Sequence, residues 1–182
     1  MLLAIDVGNT GMGLGVFDKN ELRVTWRMAT SISRMPDEYA ALLFPLLHEA
    51  GLGTSDITDV CLCSVVPPLI GTLEDLFTRH FKTKILVVGA GTKTGMKIRM
   101  DNPREVGPDR IIHSAAAYHL YGGPLIIVDM GTATTFDTVS KIGEYTGGAI
   151  APGLQTGAEA LFTRTAMLPR VNLTRPNKAI GT

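Results

Sequence analysis

The sequence predicts an α/β protein of two related lobes, each a mixed sheet flanked by helices. Three observations carry this expectation. Short apolar runs bounded by Gly, Pro and Asn alternate with stretches of helical periodicity, which is how strands and helices alternate in one α/β architecture. Hydrophobic residues make up 45% of the 182 residues and charged residues 19%, enough apolar side chain for a packed core. Finally, Ala4-Ile5-Asp6-Val7-Gly8-Asn9-Thr10 returns as Ile127-Val128-Asp129-Met130-Gly131-Thr132-Ala133, at an offset of 123 residues. Both copies run from an apolar strand through Asp-x-Gly to a small polar residue and on into a hairpin pattern. The lobes are expected over residues 1–115 and 116–182.

The elements follow in order. Leu2 to Asp6 reads as a short buried strand. The Gly-rich stretch Gly8 to Gly15 follows, strand character resumes over Gly13 to Asp18, Lys19-Asn20 turns the chain, and Glu21 to Met28 returns. Pro36 suits a first helical turn, with Asp37 and Glu38 at its positive end. Tyr39, Leu42, Leu43, Leu46 and Leu47 recur at helical spacing, Pro45 interrupts them, and Gly51 closes the segment. Val60 to Val66 is a strand that stops at Pro67-Pro68. Leu69 to Phe81 is helical, with Leu69, Leu73, Leu76 and Phe77 on one face. Ile85 to Val88 is a strand and residues 89–107 a loop. A helix opens at Pro108 or Asp109 and ends before Gly122-Gly123-Pro124. Strands follow over Leu125 to Met130, Thr134 to Val139 and Gly147 to Ala151, then a Pro152-Gly153 turn and a helix over Leu154 to Arg164. The chain is expected to be irregular after Pro169.

Composition excludes several function classes. Lys plus Arg and Asp plus Glu are 17 each, so the chain lacks the basic footprint of a nucleic-acid binder. No apolar run approaches the roughly 20 residues needed to cross a bilayer, so no membrane partner is expected. Asp6 breaks the N-terminal apolar run too early for a signal peptide. Cys61 and Cys63 are too close for a disulfide framework, and a reducing, cytoplasmic location is expected. On one strand the two cysteines share a face, where core packing is the better reading than zinc. His48, His80, His113 and His119 form no ligand spacing among themselves and read as surface or core histidines. Trp26 reads as core.

The chemistry concentrates in the two Asp-x-Gly segments. Glycines let backbone amides approach a phosphate, Asn and Thr add donors, and an Asp at a strand end suits a hydrated Mg²⁺. An ordinary hairpin turn explains one such loop. Two of them, from related lobes, favour phosphate binding. Neither is a Walker A loop, because no Gly-Lys-Ser/Thr follows. Gly107-Pro108-Asp109-Arg110 puts a carboxylate beside a guanidinium at a helix start. By itself this is better read as a helix cap next to a solvated Arg.

Asp6-x-Gly-Asn-Thr and Asp129-x-Gly-Thr-Ala-Thr-Thr resemble the phosphate motifs of the actin-like kinase superfamily. With Asp101-Asn-Pro, Glu105-Val, Gly107-Pro-Asp-Arg-Ile and Gly147-Gly-Ala-Ile-Ala-Pro-Gly153, the chain resembles the type III pantothenate kinases over essentially its whole length. The resemblance implies two actin-like, ribonuclease H-like lobes. It implies ATP-dependent phosphorylation of pantothenate to 4'-phosphopantothenate, the first step towards coenzyme A, in a homodimer that uses Mg²⁺ and K⁺ or NH₄⁺. Asp6, Val7, Gly8, Asn9, Thr10, Gly11, Met12 and Gly13 would form the first ATP loop, with Asp6 near Mg²⁺, directly or through water, and Thr132 would belong to the second. Gly107, Pro108, Asp109 and Arg110 would bind pantothenate, with Asp109 the general base. Asp129 would hold the monovalent cation.

Two positions depart from the family pattern. Met100 stands where a Tyr of the pantothenate site is common, and Thr10-Gly11 where a Thr or Asn pair is common. A non-catalytic regulator on the same scaffold and a kinase of another small alcohol are the alternatives. The repeat offset places a counterpart of the segment at about residues 59–88 near 182–211, beyond the sequence. A second lobe without its covering unit, in an incomplete chain, is therefore expected, with Tyr118 and Tyr121 as candidate dimer contacts.

Overall fold

In the computed structural model, which describes residues 1–89, 91–175, 177–178 and 180, strands and helices alternate as expected. Residue 90 of the expected 89–107 loop, and residues 176, 179 and 181–182 of the stretch expected to be irregular after Pro169, lie outside the described residues. The chain divides into two compact units, Met1–Gly95 with Asn102–His113, and Met96–Asp101 with Ser114–Thr182.

The first unit starts with strands β1 (Leu2–Val7), β2 (Gly11–Asp18) and β3 (Glu21–Ala29), an antiparallel meander. Lys19 turns the second hairpin with a φ of 56°. Helix α1 (Pro36–Glu49) crosses to β4 (Asp59–Ser64), which pairs in parallel with β1, and α2 (Pro67–Leu76) crosses to β5 (Ile85–Val87). The sheet order is β3-β2-β1-β4-β5. Alternation along β1 and β4 sends Leu3, Ile5, Val7, Val60 and Leu62 to one face. There they pack with Tyr39, Leu43 and Leu47 of α1 and with Leu69, Leu73 and Leu76 of α2. Trp26 is partly buried against this cluster.

Several details of the first unit differ from the sequence expectation. In α1 the buried stripe is Tyr39, Ala40, Leu43 and Leu47, and Leu42 is exposed. A stripe advancing by three or four residues passes through Ala40, and its small size hid it. β4 stops at Ser64, short of the expected Val66, and Pro67 and Pro68 open α2, because a helix's first turn needs no amide hydrogen there. The end of the second helical stretch, Phe77–Phe81, is wound as a π turn that closes at Lys82 with a φ of 56°.

Helix α3 (Pro108–Tyr121) gives its residues up to His113 to the first unit and the rest to the second. The second unit's sheet is β6-β9-β8-β7, with β6 (Lys97–Ile98), β7 (Leu125–Met130), β8 (Ala133–Val139) and β9 (Glu144–Pro152). β7, β8 and β9 form the second antiparallel meander, and α4 (Leu154–Arg164) follows. The two-residue β6 lies within the expected 89–107 loop. It is a strand only because β9, far along the chain, pairs with it in parallel.

Candidate functional site

Within the first unit, β1 ends in the Asp6-Val7-Gly8 turn and β2 returns so that Asp6 lies opposite Gly13. The Gly8 amide donates to the Gly11 carbonyl at 3.0 Å. The end of β3 clips the loop from outside: the Thr30 hydroxyl donates to the Gly8 carbonyl at 2.7 Å and the Thr30 amide to the Thr10 carbonyl at 3.1 Å. Asn9 and Thr10 sit at the exposed tip.

Asp6 presents a half-exposed carboxylate on the sheet face opposite the core cluster. His113 Nε2 of α3 stands 3.6 Å from its Oδ2, outside hydrogen-bond range but within ion-pair range. His113 lies one helical turn after Asp109, so both project from the same side of α3. A Cβ on Gly107 would meet the end of the Asp109 side chain and turn the carboxylate away from this position. One guanidinium nitrogen of Arg110 is buried.

Cys63 lies beside Asp6 in the register of β1 and β4. Burial pushes its thiol up to about 12, and the charges of Asp6, Asp109 and Cys61 add to the shift. Both carboxylates therefore act on the same thiol, which stays protonated and unreactive at neutral pH. Burial also raises Cys61. The cysteines face the Asp6 side of the sheet and stand apart from the main cluster, and they line an open cleft of about 570 Å³ with Asp6, Gly13, Arg27 and Ile112.

The second unit repeats the loop with one residue fewer: Asp129 lies opposite Thr135, and the Gly131 amide donates to the Ala133 carbonyl at 2.9 Å. It too is clipped from the end of its third strand. The Gly153 amide and the Thr156 hydroxyl donate to the Thr132 carbonyl at 3.0 and 2.8 Å. Gly153 has no room for a side chain, because a Cβ would strike the Gly131 and Thr132 carbonyls. Asp129 is half-buried. Met100 follows β6, with its sulfur 3.9 Å from where a Cβ of Gly147 would sit. Glu144 accepts from Arg99 Nε at 2.9 Å and stands 3.4 Å from Lys97 Nζ. The Arg99 hydrogen bond is the main reason its carboxyl is held below the usual range. Tyr145 donates to Asp137 Oδ1 at 2.6 Å, and both residues are buried.

The first unit thus holds Asp6 to Gly13 and Gly107 to Arg110, and the second holds Met100, Asp129 and Thr132. Among the described residues no cluster of three or more His, Cys, Asp or Glu side chains could hold a metal. A cation at Asp6 would rely on one carboxylate, water and phosphate oxygens, which fits Mg²⁺ and its reluctance to shed water.

A family model for type III pantothenate kinase matches residues 2–182. The chain belongs to the type III pantothenate kinase family. Relatives of that name include one from Dehalococcoides mccartyi, 54% identical over 180 residues, which covers 99% of this chain and 68% of the relative. Another, from Moorella thermoacetica, is 54% identical over 181 residues, 100% of this chain and 71% of the relative. A third, from Geobacillus kaustophilus, is 50% identical and covers 100% and 70%. Among solved structures, a Campylobacter jejuni protein described as a Baf family transcriptional activator aligns with a TM-score of 0.54 at 18% identity, over 97% of this chain and 68% of that one. Ethanolamine utilization protein EutJ from Carboxydothermus hydrogenoformans aligns with a TM-score of 0.52 at 16% identity, over 89% and 56%. These two likenesses show the fold alone, which is the actin-like α/β fold expected from the loops.

The sequence of this pantothenate kinase family member does not point to Thr30 or Thr156; it offers Gly153 only as the end of the 147–153 motif and a turn, and His113 only as a surface or core histidine. Spacing among the histidines carries no signal for His113; its spacing of four from Asp109 does. Thr30 and Gly153 are the corresponding third-strand ends of the two meanders, so the repeat itself could have flagged them.

Proposed function

We propose that Asp109 is the general base of this chain's reaction and that the two Asp-x-Gly loops carry the nucleotide's phosphates. The chain is a pantothenate kinase. It transfers the terminal phosphoryl group of ATP to pantothenate, the first step of coenzyme A synthesis. Phosphoryl transfer demands positioning and charge neutralisation more than covalent chemistry. Asp6 to Gly13 and Thr132 supply backbone amides and hydroxyls to the phosphates. Gly107, Pro108 and Arg110, with Met100, hold pantothenate, and Arg110 pairs with its carboxylate. Asp109 accepts the proton of the attacking hydroxyl. Mg²⁺ held through Asp6, directly or by water, supplies charge neutralisation on the triphosphate, and Asp129 holds K⁺ or NH₄⁺. We assign the enzyme to the cytoplasm, where ATP is available, as a homodimer with no nucleic-acid or membrane partner.

The observation that most supports this reading is that His113, one helical turn after Asp109, stands 3.6 Å from Asp6 Oδ2, so the side of α3 that carries Asp109 meets the end of β1 where the first loop begins. The test is ADP release in the Asp109→Asn variant, paired with calorimetric nucleotide binding. Turnover is expected to fall by about 10²–10⁴ with nucleotide affinity retained, and near-normal turnover removes Asp109 from the mechanism. Equal rates in K⁺ and tetramethylammonium buffers would overturn the monovalent site.

A further inference from the structure

Strand register places four residues in one row across the first unit's sheet. Cys63 of β4 is opposite Asp6 of β1, Asp6 is opposite Gly13 of β2, and Gly13 is opposite Arg27 of β3. Residues in register on neighbouring strands project to the same face. At a strand spacing of about 4.8 Å, the Asp6 and Arg27 backbones lie roughly 10 Å apart with only a glycine between them. The next row on this face is Cys61, Ala4, Gly15 and Thr25. The floor of the cleft is therefore built from small side chains.

The two floor glycines differ. A Cβ on Gly15 would come within 3.2 Å of Leu22 and 3.4 Å of Phe17, so neighbouring side chains already use its space. A Cβ on Gly13 would meet nothing within 4 Å, and Gly13 is not in the left-handed region. Neither backbone conformation nor packing within the protein explains a glycine there. Close approach of a bound group does.

Arg27 is exposed, lines the same cleft and has no ion-pair partner among the described residues, whereas Arg23 on the same strand stands 3.7 Å from Asp18. We propose that Arg27 is a nucleotide-binding residue whose guanidinium takes a phosphate oxygen of ATP lying over Gly13, across from Asp6. The proposal rests on the reading of Asp6 to Gly13 as a phosphate loop and adds to it a cation from a different strand. A planar fork of N–H donors suits a phosphate bidentately, which a lysine at the same place does not match.

The test uses the full chain with a non-hydrolysable ATP analogue in calorimetry, and KM values for ATP and pantothenate. Arg27→Gln is expected to weaken the analogue by about tenfold or more, to raise KM for ATP similarly, and to leave KM for pantothenate within about twofold. Arg27→Lys is expected to fall between, and it carries the comparison if the Gln variant does not fold. Gly13→Ala is expected to melt with the wild type, because its methyl meets no protein atom, while weakening the analogue. Unchanged analogue binding in Arg27→Gln beside weakened binding in Gly13→Ala would overturn the role of Arg27 and leave the phosphate loop standing. A rise in KM for pantothenate alone would overturn it by moving the anion to the substrate carboxylate. No effect of either variant would overturn the loop reading as well.

Discussion

Each unit opens with a hairpin whose first strand ends in Asp-x-Gly, and each clips that loop from the end of its third strand. Thr30 does so in the first unit and Gly153 in the second, where Thr156 of α4 adds a second hydrogen bond. Burial then diverges. In the first unit α1 and α2 seal one sheet face over a cluster running from Leu3 to Phe81. In the second, Val139 and Tyr145 are the buried apolar side chains among the described residues, α4 buries none, and β7 leaves Ile126, Val128 and Met130 at 68%, 51% and 64% exposure. The comparison separates two kinds of instruction. The loop and its clip come from short-range pairing and need no deep core. Sealing a sheet depends on helices whose apolar stripes match its face.

The largest expected effect tests that contrast directly. Leu62, fully buried in β4, should cost about 2–5 kcal/mol of stability when changed to Ala, through lost transfer energy and a cavity. Val128→Ala on the open face of β7 should cost less than about 1 kcal/mol. Trp26, the sole tryptophan, sits in β3 and reports first-unit unfolding by fluorescence, while far-UV circular dichroism follows the whole chain. Comparable losses at both positions would break the contrast, because they would mean that the β7 face is covered in solution.

A middle-sized effect would sharpen it. With little apolar burial, the second unit holds a buried polar pair, Tyr145 to Asp137, on adjacent strands β9 and β8. Tyr145→Phe keeps the ring and removes one donor to a buried carboxylate, with an expected loss of about 1–3 kcal/mol. Chemical denaturation followed by circular dichroism measures it. A loss no larger than that of Val128→Ala would show that the pair does not anchor this unit.

What the sequence showed and hid follows the same division. β7 and α4 have the bounds expected from their apolar runs and the Gly and Pro residues around them, because those signals are local. The repeat of Asp6 at Asp129 was visible for the same reason. β6 was hidden because two residues become a strand only when Glu144 and Tyr145 pair with them. The contact of His113 with Asp6 and the row joining Asp6 to Arg27 were hidden because each depends on tertiary placement or strand register, and an isolated strand's alternation does not reveal its neighbours. Leu42 misled because its size outweighed the small Ala40 that completes the stripe.

The smallest effect concerns that hidden strand. Glu144 ties β6 to β9 through Arg99 and Lys97, and the hydrogen bond from Arg99 is the leading cause of its lowered pKa. A carboxyl whose folded value lies below its unfolded value makes the unfolded chain bind more protons as pH falls. Its contribution is therefore present above the ordinary carboxylate range and lost as pH drops through the folded value. Glu144→Gln should flatten that part of the acid limb, seen as a smaller change in urea midpoint between about pH 6 and pH 3. The difference from wild type should shrink in high salt, because both basic partners are largely exposed. If the variant keeps the wild-type acid limb at low salt, β6 is held by its backbone pairing with β9 alone. The second unit would then lean on backbone hydrogen bonds and the Tyr145–Asp137 pair, in sharper contrast to the sealed core of the first.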